Sequence, residues 1–412
     1  MNEERRRVLV LAYFFPPFGG SGVQRTVKFV RYLATLGWDS IVVSTRSRAY
    51  GVQDPSLLAE IPSSARVVRT RAFPAARYVG ILLYHLRLMR LRALVTWPDG
   101  GLGWAPFAAV AALRIARRDR PDVLFSSSAP YGAHLAALLV ARLSGIPWVA
   151  DFRDEWASNP GLRTQPSILN RIAARLERAI ARRARRIVVV ADYFRLEGLP
   201  HGDPRRVEIV NGVDEADLAD DPRPVATERF VLTHVGTIYG EQDPSAVLEA
   251  AAALVERGEI DPARLEVRLV GPIWVRGFRP PTGLRVARIG LVEHRDAVAE
   301  MQAATALLLY VAASSLAPSG KLFEYLASGR PVLCVAREDN LASRLVREWK
   351  AGTTADPRDR GAIERAMLQL WRAWAANGLA EQAAVKERTL AQYSRRANAQ
   401  RLAEVFEEAC RA

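Results

Sequence analysis

Cysteine and histidine are scarce in this chain, at two and five of 412 residues. Two cysteines, Cys334 and Cys410, allow at most one disulfide. Cys334 lies in an apolar run that reads as a buried strand, so a free core thiol and a reducing, cytoplasmic compartment fit better than a disulfide scaffold. No Cys/His finger, HExxH pair or Asp-x-Asp pair appears, so nothing in the sequence asks for a metal. No apolar run reaches the roughly 18 residues that span a bilayer. The first residues, Met-Asn-Glu-Glu-Arg-Arg-Arg, run straight into a strand pattern without the apolar stretch and small-residue site of a secretory signal. RNP-like aromatics and a basic low-complexity tail are also missing, which argues against nucleic acid as the partner.

What the chain has in excess is positive charge, +14 net, mostly arginine. Two segments concentrate it. Residues 77–92 (RYVGILLYHLRLMRLR) are strongly apolar and carry four arginines. Residues 171–186 (RIAARLERAIARRARR) carry seven arginines and one glutamate, with Ile172, Leu176 and Ile180 one turn apart. Each reads either as a helix lying on an anionic membrane surface or as a core-packing helix with a solvated outer face.

Half of the residues are hydrophobic and a quarter are charged, the balance of a soluble globular protein, and the length calls for two domains. Strand and helix patterns alternate throughout. Short all-apolar runs such as Val8–Ala12, Ser40–Ser44, Arg186–Val190, Phe230–Val235 and Ala306–Tyr310 are buried parallel strands by composition. Helical patterns over 23–36, 132–143, 245–257 and 295–303 separate them. The alternation predicts an α/β protein with two doubly wound, Rossmann-like parallel sheets. Asn211-Gly-Val-Asp214 and the polar, proline-rich stretch 219–224 mark a boundary, giving domains over 1–210 and 211–385 and a helical tail over 386–412.

Three segments carry chemistry. The first βα loop, residues 13–25 (YFFPPFGGSGVQR), has Gly19, Gly20 and Gly22 around Ser21, so its backbone can approach a ligand and offer N–H groups to an anion. It is neither a GxGxxG fingerprint nor a P-loop. The second, Asp151-Phe-Arg-Asp-Glu-Trp156, follows a strand. Either Asp151 or Asp154 pairs with Arg153 to fix the loop; the other is then available to an acceptor hydroxyl, and Trp156 to the apolar face of a sugar. Tyr131 and His134 lie on the preceding crossover. The third segment, residues 318–332 (PSGKLFEYLASGRPV), starts a short helix near Lys321 and ends it near Gly329. Ser319, Gly320, Lys321 and Leu322 at its start can receive a phosphate, and Glu324, one turn on, can accept from two vicinal ribose hydroxyls.

This third segment resembles the donor-site motif of the retaining, GT-B-fold glycosyltransferases of family 4, of the bacterial type that builds surface polysaccharides and glycolipids. The loop with Gly19 and Gly20 is similar to that family's loop at donor phosphate and acceptor, and 151–156 to its Asp-x-Arg-Asp-x-Trp segment. The resemblance runs over nearly the whole chain. It implies two domains facing across a cleft, with acceptor contacts from Gly19, Gly20, Ser21, Tyr131, His134, Asp151, Arg153, Asp154 and Trp156. Donor contacts fall to Gly236, Thr237, Gly271, Leu291 and residues 319–322 with Glu324. Lys321, Asp154 and Gly20 stand nearest the chemistry, no metal or other cofactor is needed, and the last helix crosses back to the first domain. Two departures stand out. The family's Arg and Lys after the donor-domain glycine are replaced by Thr237 and Gln242-Asp243, and the carboxylate eight positions before the ribose-binding Glu is replaced by Leu316.

The reading implied is transfer of a sugar from a nucleotide-diphosphate donor to a glycan, lipid-linked or small-molecule hydroxyl, at the cytoplasmic face of the membrane if the basic segments bind lipid. A GT-B-fold sugar-nucleotide epimerase and a non-catalytic nucleotide-sugar-binding protein are the alternatives.

Overall fold

The computed structural model describes residues 5–46, 53–73, 79–80, 82–83, 85–88, 91, 97, 99, 101–158, 167–218, 228–240, 242–312, 320–377 and 379–411. The boundary stretch 219–224 lies outside them, as does part of 77–92. The chain forms two compact units, residues 1–210 with 395–412, and residues 211–394.

In the first unit, strands β1 (Arg6–Leu11), β2 (Trp38–Thr45), β3 (Arg66–Thr70), β4 (Val123–Ser128), β5 (Trp148–Phe152), β6 (Arg186–Val189) and β7 (Arg206–Glu208) make one sheet in the order β3-β2-β1-β4-β5-β6-β7. Every pairing is parallel. Helix α1 (Ser21–Thr35) follows β1, and α2 (Ala105–Asp119), α3 (Gly132–Ser144) and α4 (Ser167–Arg183) precede β4, β5 and β6. Such a sheet is buried on both faces, which is why its strands read as continuous apolar runs rather than alternating ones. Leu9 and Leu11 pack with Ala108, Ala112, Ala137 and Ile180 of α2, α3 and α4. Val8 and Val10, on the other face, pack with Val27 and Val30 of α1.

The second unit repeats this plan. Strands β8 (Phe230–Val235), β9 (Leu265–Val270), β10 (Val286–Arg288), β11 (Ala306–Tyr310), β12 (Val332–Val335) and β13 (Gly352–Ala355) form a parallel sheet in the order β10-β9-β8-β11-β12-β13. Helices α5 (Ser245–Glu256), α6 (His294–Ala303), α7 (Lys321–Ala327), α8 (Leu341–Glu348) and α9 (Arg360–Asn377) connect or cover them. The tail is two helices, α10 (Ala383–Tyr393) and α11 (Arg395–Arg411), divided at Ser394 between the two units. Helix α11 belongs to the first unit's core, where Phe406 meets Trp38 and Phe125 at ring separations of 5.3 and 5.5 Å.

The strand order reverses between β1 and β4 in one sheet and between β8 and β11 in the other. Loops leaving the carboxyl ends of strands at such a reversal diverge to opposite faces and open a crevice for ligands. The loop of Gly19 and Gly20 leaves β1, and the loop of Gly236 leaves β8, so each glycine segment stands at the reversal of its own sheet.

The basic stretch 171–186 spans α4 and the start of β6. Ala173, Ile180 and Ala181 are buried in the core while Arg171, Arg175 and Arg182 face solvent. Of the stripe read from the sequence, Ile180 is buried, Leu176 packs against the core and Ile172 is half-buried, the pattern of a helix that packs on the core. Cys334 is a buried free thiol, which burial pushes up to about 12.

Candidate functional site

Each unit carries its own cluster. In the second, β8 ends at Val235 and Gly236 turns away with φ +148°, while its N–H donates to Val270 O at 2.7 Å. A Cβ on Gly236 would lie 2.1 Å from Cε of Lys321, so the lysine stem crosses the glycine Cα at a distance that no other residue permits. Gly271 (φ +125°) stands alongside, where a Cβ would meet Gly236 O at 2.4 Å. One turn into the helix that Lys321 opens, the buried hydroxyl of Tyr325 accepts from Val235 N at 2.8 Å and donates to Val235 O at 3.3 Å. The β8–β11 ladder covers only Leu232 and Thr233, so the phenol takes the place of a strand neighbour and ties α7 to the end of β8.

Burial holds the Lys321 ammonium below the ordinary lysine range, with Glu324 partly offsetting it. A cation that is already poorly hydrated loses little more water when it meets an anion. Helix α7 has only seven residues, so the positive charge here comes mainly from the lysine rather than from the helix dipole. Gly320 is exposed and Glu324 half-buried. The Leu322 side chain is fully buried, so only its backbone is left for a ligand. Thr237 is half-buried and Leu291 largely exposed. Ser319 and Leu316 lie outside the described residues. His234, not singled out from the sequence, is buried in β8. Its Nδ1 is 3.0 Å from Leu308 O, and burial lowers its pKa to about 4, with Lys321 adding to the effect, so it is neutral.

In the first unit, Gly20 caps α1 with φ +94°, and a Cβ there would meet nothing within 4 Å. Gly19 is half-buried; Ser21 opens the helix. The pairing within 151–156 differs from both sequence alternatives. Asp151 pairs with Arg25 of α1: Nη2 to Oδ1 at 2.8 Å and Nε to Oδ2 at 3.1 Å, with side chains 0% and 1% exposed. Ser127 Oγ donates to the same carboxylate at 2.7 Å. Asp151 is therefore a buried structural partner and presents nothing to an acceptor. Among the described residues Arg153 pairs with no carboxylate; it donates to Gly22 O and Ser128 O, each at 2.5 Å, and to Ala129 O. One guanidinium, just after β5, thus ties the first turn of α1 to the end of β4 and the loop that leaves it.

Three further expectations are corrected by burial. Trp156 is fully buried and stacked on Tyr131 at 4.6 Å, so its face is not open to a sugar. Tyr131 is itself nearly buried and donates to Glu155 O at 2.7 Å. His134 is fully buried, 2.8 Å from Ser126 Oγ through Nδ1, and burial drops its pKa to about 3. All three support the loops instead of lining them. Asp154 is the exposed carboxylate of the segment.

Asp99 was not apparent from the sequence. It accepts from Tyr131 N at 2.5 Å and Gly101 N at 3.0 Å, and burial raises its pKa to about 6, Asp154 adding to the rise. The approach depends on two glycines: a Cβ on Gly101 would fall 2.3 Å from Cβ of Pro130, and one on Gly132 would fall 2.3 Å from Gly101 O. The sequence run Pro98-Asp99-Gly100-Gly101 was the available signal.

Behind the 151–156 loop, Glu177 of α4 is buried and accepts from Ala157 N at 3.1 Å; burial raises its pKa to about 8. A carboxyl whose pKa is raised by folding favours the folded state most below its unfolded value, and that contribution is lost as pH rises through the folded value. We expect Glu177→Gln to leave the melting temperature unchanged near pH 4.5 and to raise it by several degrees at about pH 9. Melting curves across that range test this; parallel pH profiles for both proteins would show that the carboxyl is not neutral.

Residues 20–212 match the glycosyl transferase 4-like domain family. No curated protein sequence matches the chain. Among solved structures, the chain resembles E. coli trehalose-6-phosphate protein bound with UDP-2-fluoro glucose, with a TM-score of 0.63, 10% identity and coverage of 97% of this chain and 99% of that one. It also resembles the apo lipopolysaccharide outer core galactosyltransferase WaaB (0.57, 11%, 97% and 99%). A third similar structure is a putative UDP-N-acetylglucosamine 2-epimerase from Listeria monocytogenes (0.54, 12%, 98% and 96%). The chain has the GT-B fold, and the family match lies almost wholly within its first unit.

Proposed function

We propose that this GT-B chain is a retaining glycosyltransferase, moving a sugar from a nucleoside-diphosphate donor bound by the second unit to an acceptor hydroxyl bound by the first. The observation that carries the reading is the Lys321 side chain laid across Gly236 at the strand-order reversal of the second sheet. A partly desolvated ammonium beside open backbone there suits a diphosphate and stabilises the charge that grows on it as the sugar leaves. Glu324, one helical turn on, takes the ribose hydroxyls. Gly19, Gly20 and the exposed Asp154 take the acceptor, on loops fixed by Arg153, Asp151–Arg25 and Asp99. The departing phosphate oxygen receives the acceptor proton, so a metal and a separate general base are not required. We place the protein in the cytoplasm, acting on a membrane-presented acceptor of the kind used for surface glycans.

Thermal shifts against UDP, GDP, ADP, dTDP and CDP, with and without EDTA, test the donor half. A saturating ligand stabilises by a few kcal/mol. One diphosphate should raise the melting temperature clearly, with EDTA making no difference; silence across the panel would remove the donor assignment, and loss of the shift in EDTA would remove metal independence. The fold is shared with a putative epimerase, so product identity is the second test. A glycosylated acceptor with the donor's anomeric configuration supports the proposal, whereas an epimerised free sugar overturns it.

A further inference from the structure

At the carboxyl end of the second sheet, β8 and β11 part after the Thr233–Leu307 pair. Gly236 N donates to Val270 O beside it on β9, so by alternation the N–H and C=O of Val235 turn towards β11. Leu307 N donates to Pro331 O on the β12 side, which turns Leu308 O towards β8. In a continuing parallel ladder the next rung would run from Val235 N to Leu308 O. Two side chains take those groups instead. Leu308 O accepts from His234 Nδ1 at 3.0 Å, since a carbonyl can only accept and the ring proton must sit on that nitrogen. Val235 N and O are both met by the Tyr325 hydroxyl. Both side chains are buried. Backbone groups left unmet where strands part would cost free energy, so this side-chain rung is what lets the crevice open.

Lys321 and Tyr325 are four residues apart on α7, which places them on one face, one turn apart. Their targets are consecutive: the lysine stem lies over Gly236, and the hydroxyl sits on Val235. We infer that Tyr325, supported by His234, is a positioning residue for Lys321: the hydroxyl holds this face of α7 against the end of β8 and so keeps the ammonium over Gly236. A helix of seven residues has little stability of its own. Leu322, Phe323 and Leu326 bury its other contacts, but apolar burial is non-directional and does not set register. A hydroxyl that accepts from one backbone group and donates to another does. Burial keeps the phenol protonated and the imidazole neutral; the charges acting on this group are Lys321 on His234, and Glu324 on Lys321 and Tyr325. The inference deepens the proposed donor site and rests on that reading only for its effect on binding.

The test uses Tyr325→Phe in the full chain, which fills the same space without the hydroxyl. The sequence has four lysines, so lysine-selective labelling lets NMR follow the Lys321 ammonium through a pH titration, with Lys321→Ala assigning its signal. In wild type it should titrate below the ordinary lysine range, and in Tyr325→Phe it should move up towards that range as the stem leaves its buried place. Affinity for the nucleoside diphosphate chosen by the thermal-shift panel should fall roughly tenfold. Thr353→Val, which removes another buried hydroxyl bond in the same unit, to Ala366 O at 3.1 Å, should lower the melting temperature and leave both readings alone. His234→Phe should act in the same direction as Tyr325→Phe, and it carries the test if the latter does not fold. A folded variant in which Lys321 titrates as in wild type, or which binds the diphosphate with full affinity, would overturn the inference. A shifted titration in a protein that binds no diphosphate supports the positioning role and removes the donor reading instead.

Discussion

Lys321→Ala is expected to weaken nucleoside-diphosphate binding by roughly 10- to 100-fold, the range for losing a charge-assisted contact in a partly buried site. Gly236→Ala should do comparable harm without touching the charge. Its methyl group would sit 2.1 Å from Lys321 Cε, and its φ of +148° is one that alanine avoids, so the lysine must move. Glu324→Ala should also weaken binding, through the ribose rather than the phosphates. Titration calorimetry with the diphosphate chosen by the thermal-shift panel measures all three. Normal binding by both the Lys321 and Glu324 variants would remove the donor site from this part of the molecule. Normal binding by Gly236→Ala alone would mean that the lysine position matters less than its charge.

The second large effect is on stability. Asp151→Ala removes one member of an ion pair whose side chains are 0% and 1% exposed, leaving the Arg25 guanidinium buried beside Val210 O, Ile209 O and the Phe29 ring, 4.8 Å away, without its anion. Breaking a buried pair in this way costs about 3–5 kcal/mol. Arg25→Met/Asp151→Leu should recover much of that loss, because two well-packed apolar groups often replace a buried pair at little cost. Urea unfolding followed by tryptophan fluorescence would register both. A single variant as stable as wild type would show that water reaches the pair.

The strand runs were legible because a parallel sheet covered on both faces needs every residue apolar: Val8–Leu11 and Phe230–Val235 leave little choice. Gly236 and Lys321 were legible as members of a motif, but their contact, across some 85 residues of chain, was not. The 151–156 segment shows why. Its residue types announce a fixed loop, yet pairing depends on distance in space, and Arg25 on α1 reached Asp151 before Arg153 could. Trp156 and His134 look like ligand groups in one dimension; only burial distinguishes an aromatic that lines a site from one that props it. Strands β7, β10 and β13 are three or four residues long and too polar or short to stand out. Helix α2 is alanine-rich, and its alanines are what let it lie close to the sheet, a role that composition does not advertise.

The placement of α11 bears on how the chain is made. Residues 1–210 leave the ribosome before residues 211–394, but Val8, Val10, Phe29 and Phe125 share their core with Ala399, Leu402 and Phe406, which are translated only after them. Residues 211–394 are contiguous and can complete their sheet as they emerge. The earlier-made half must wait, with an uncovered apolar face, until translation has passed through an entire second unit. Nascent chains in that interval are the ones a chaperone would find, and a stop codon just before Arg395 would leave them there permanently.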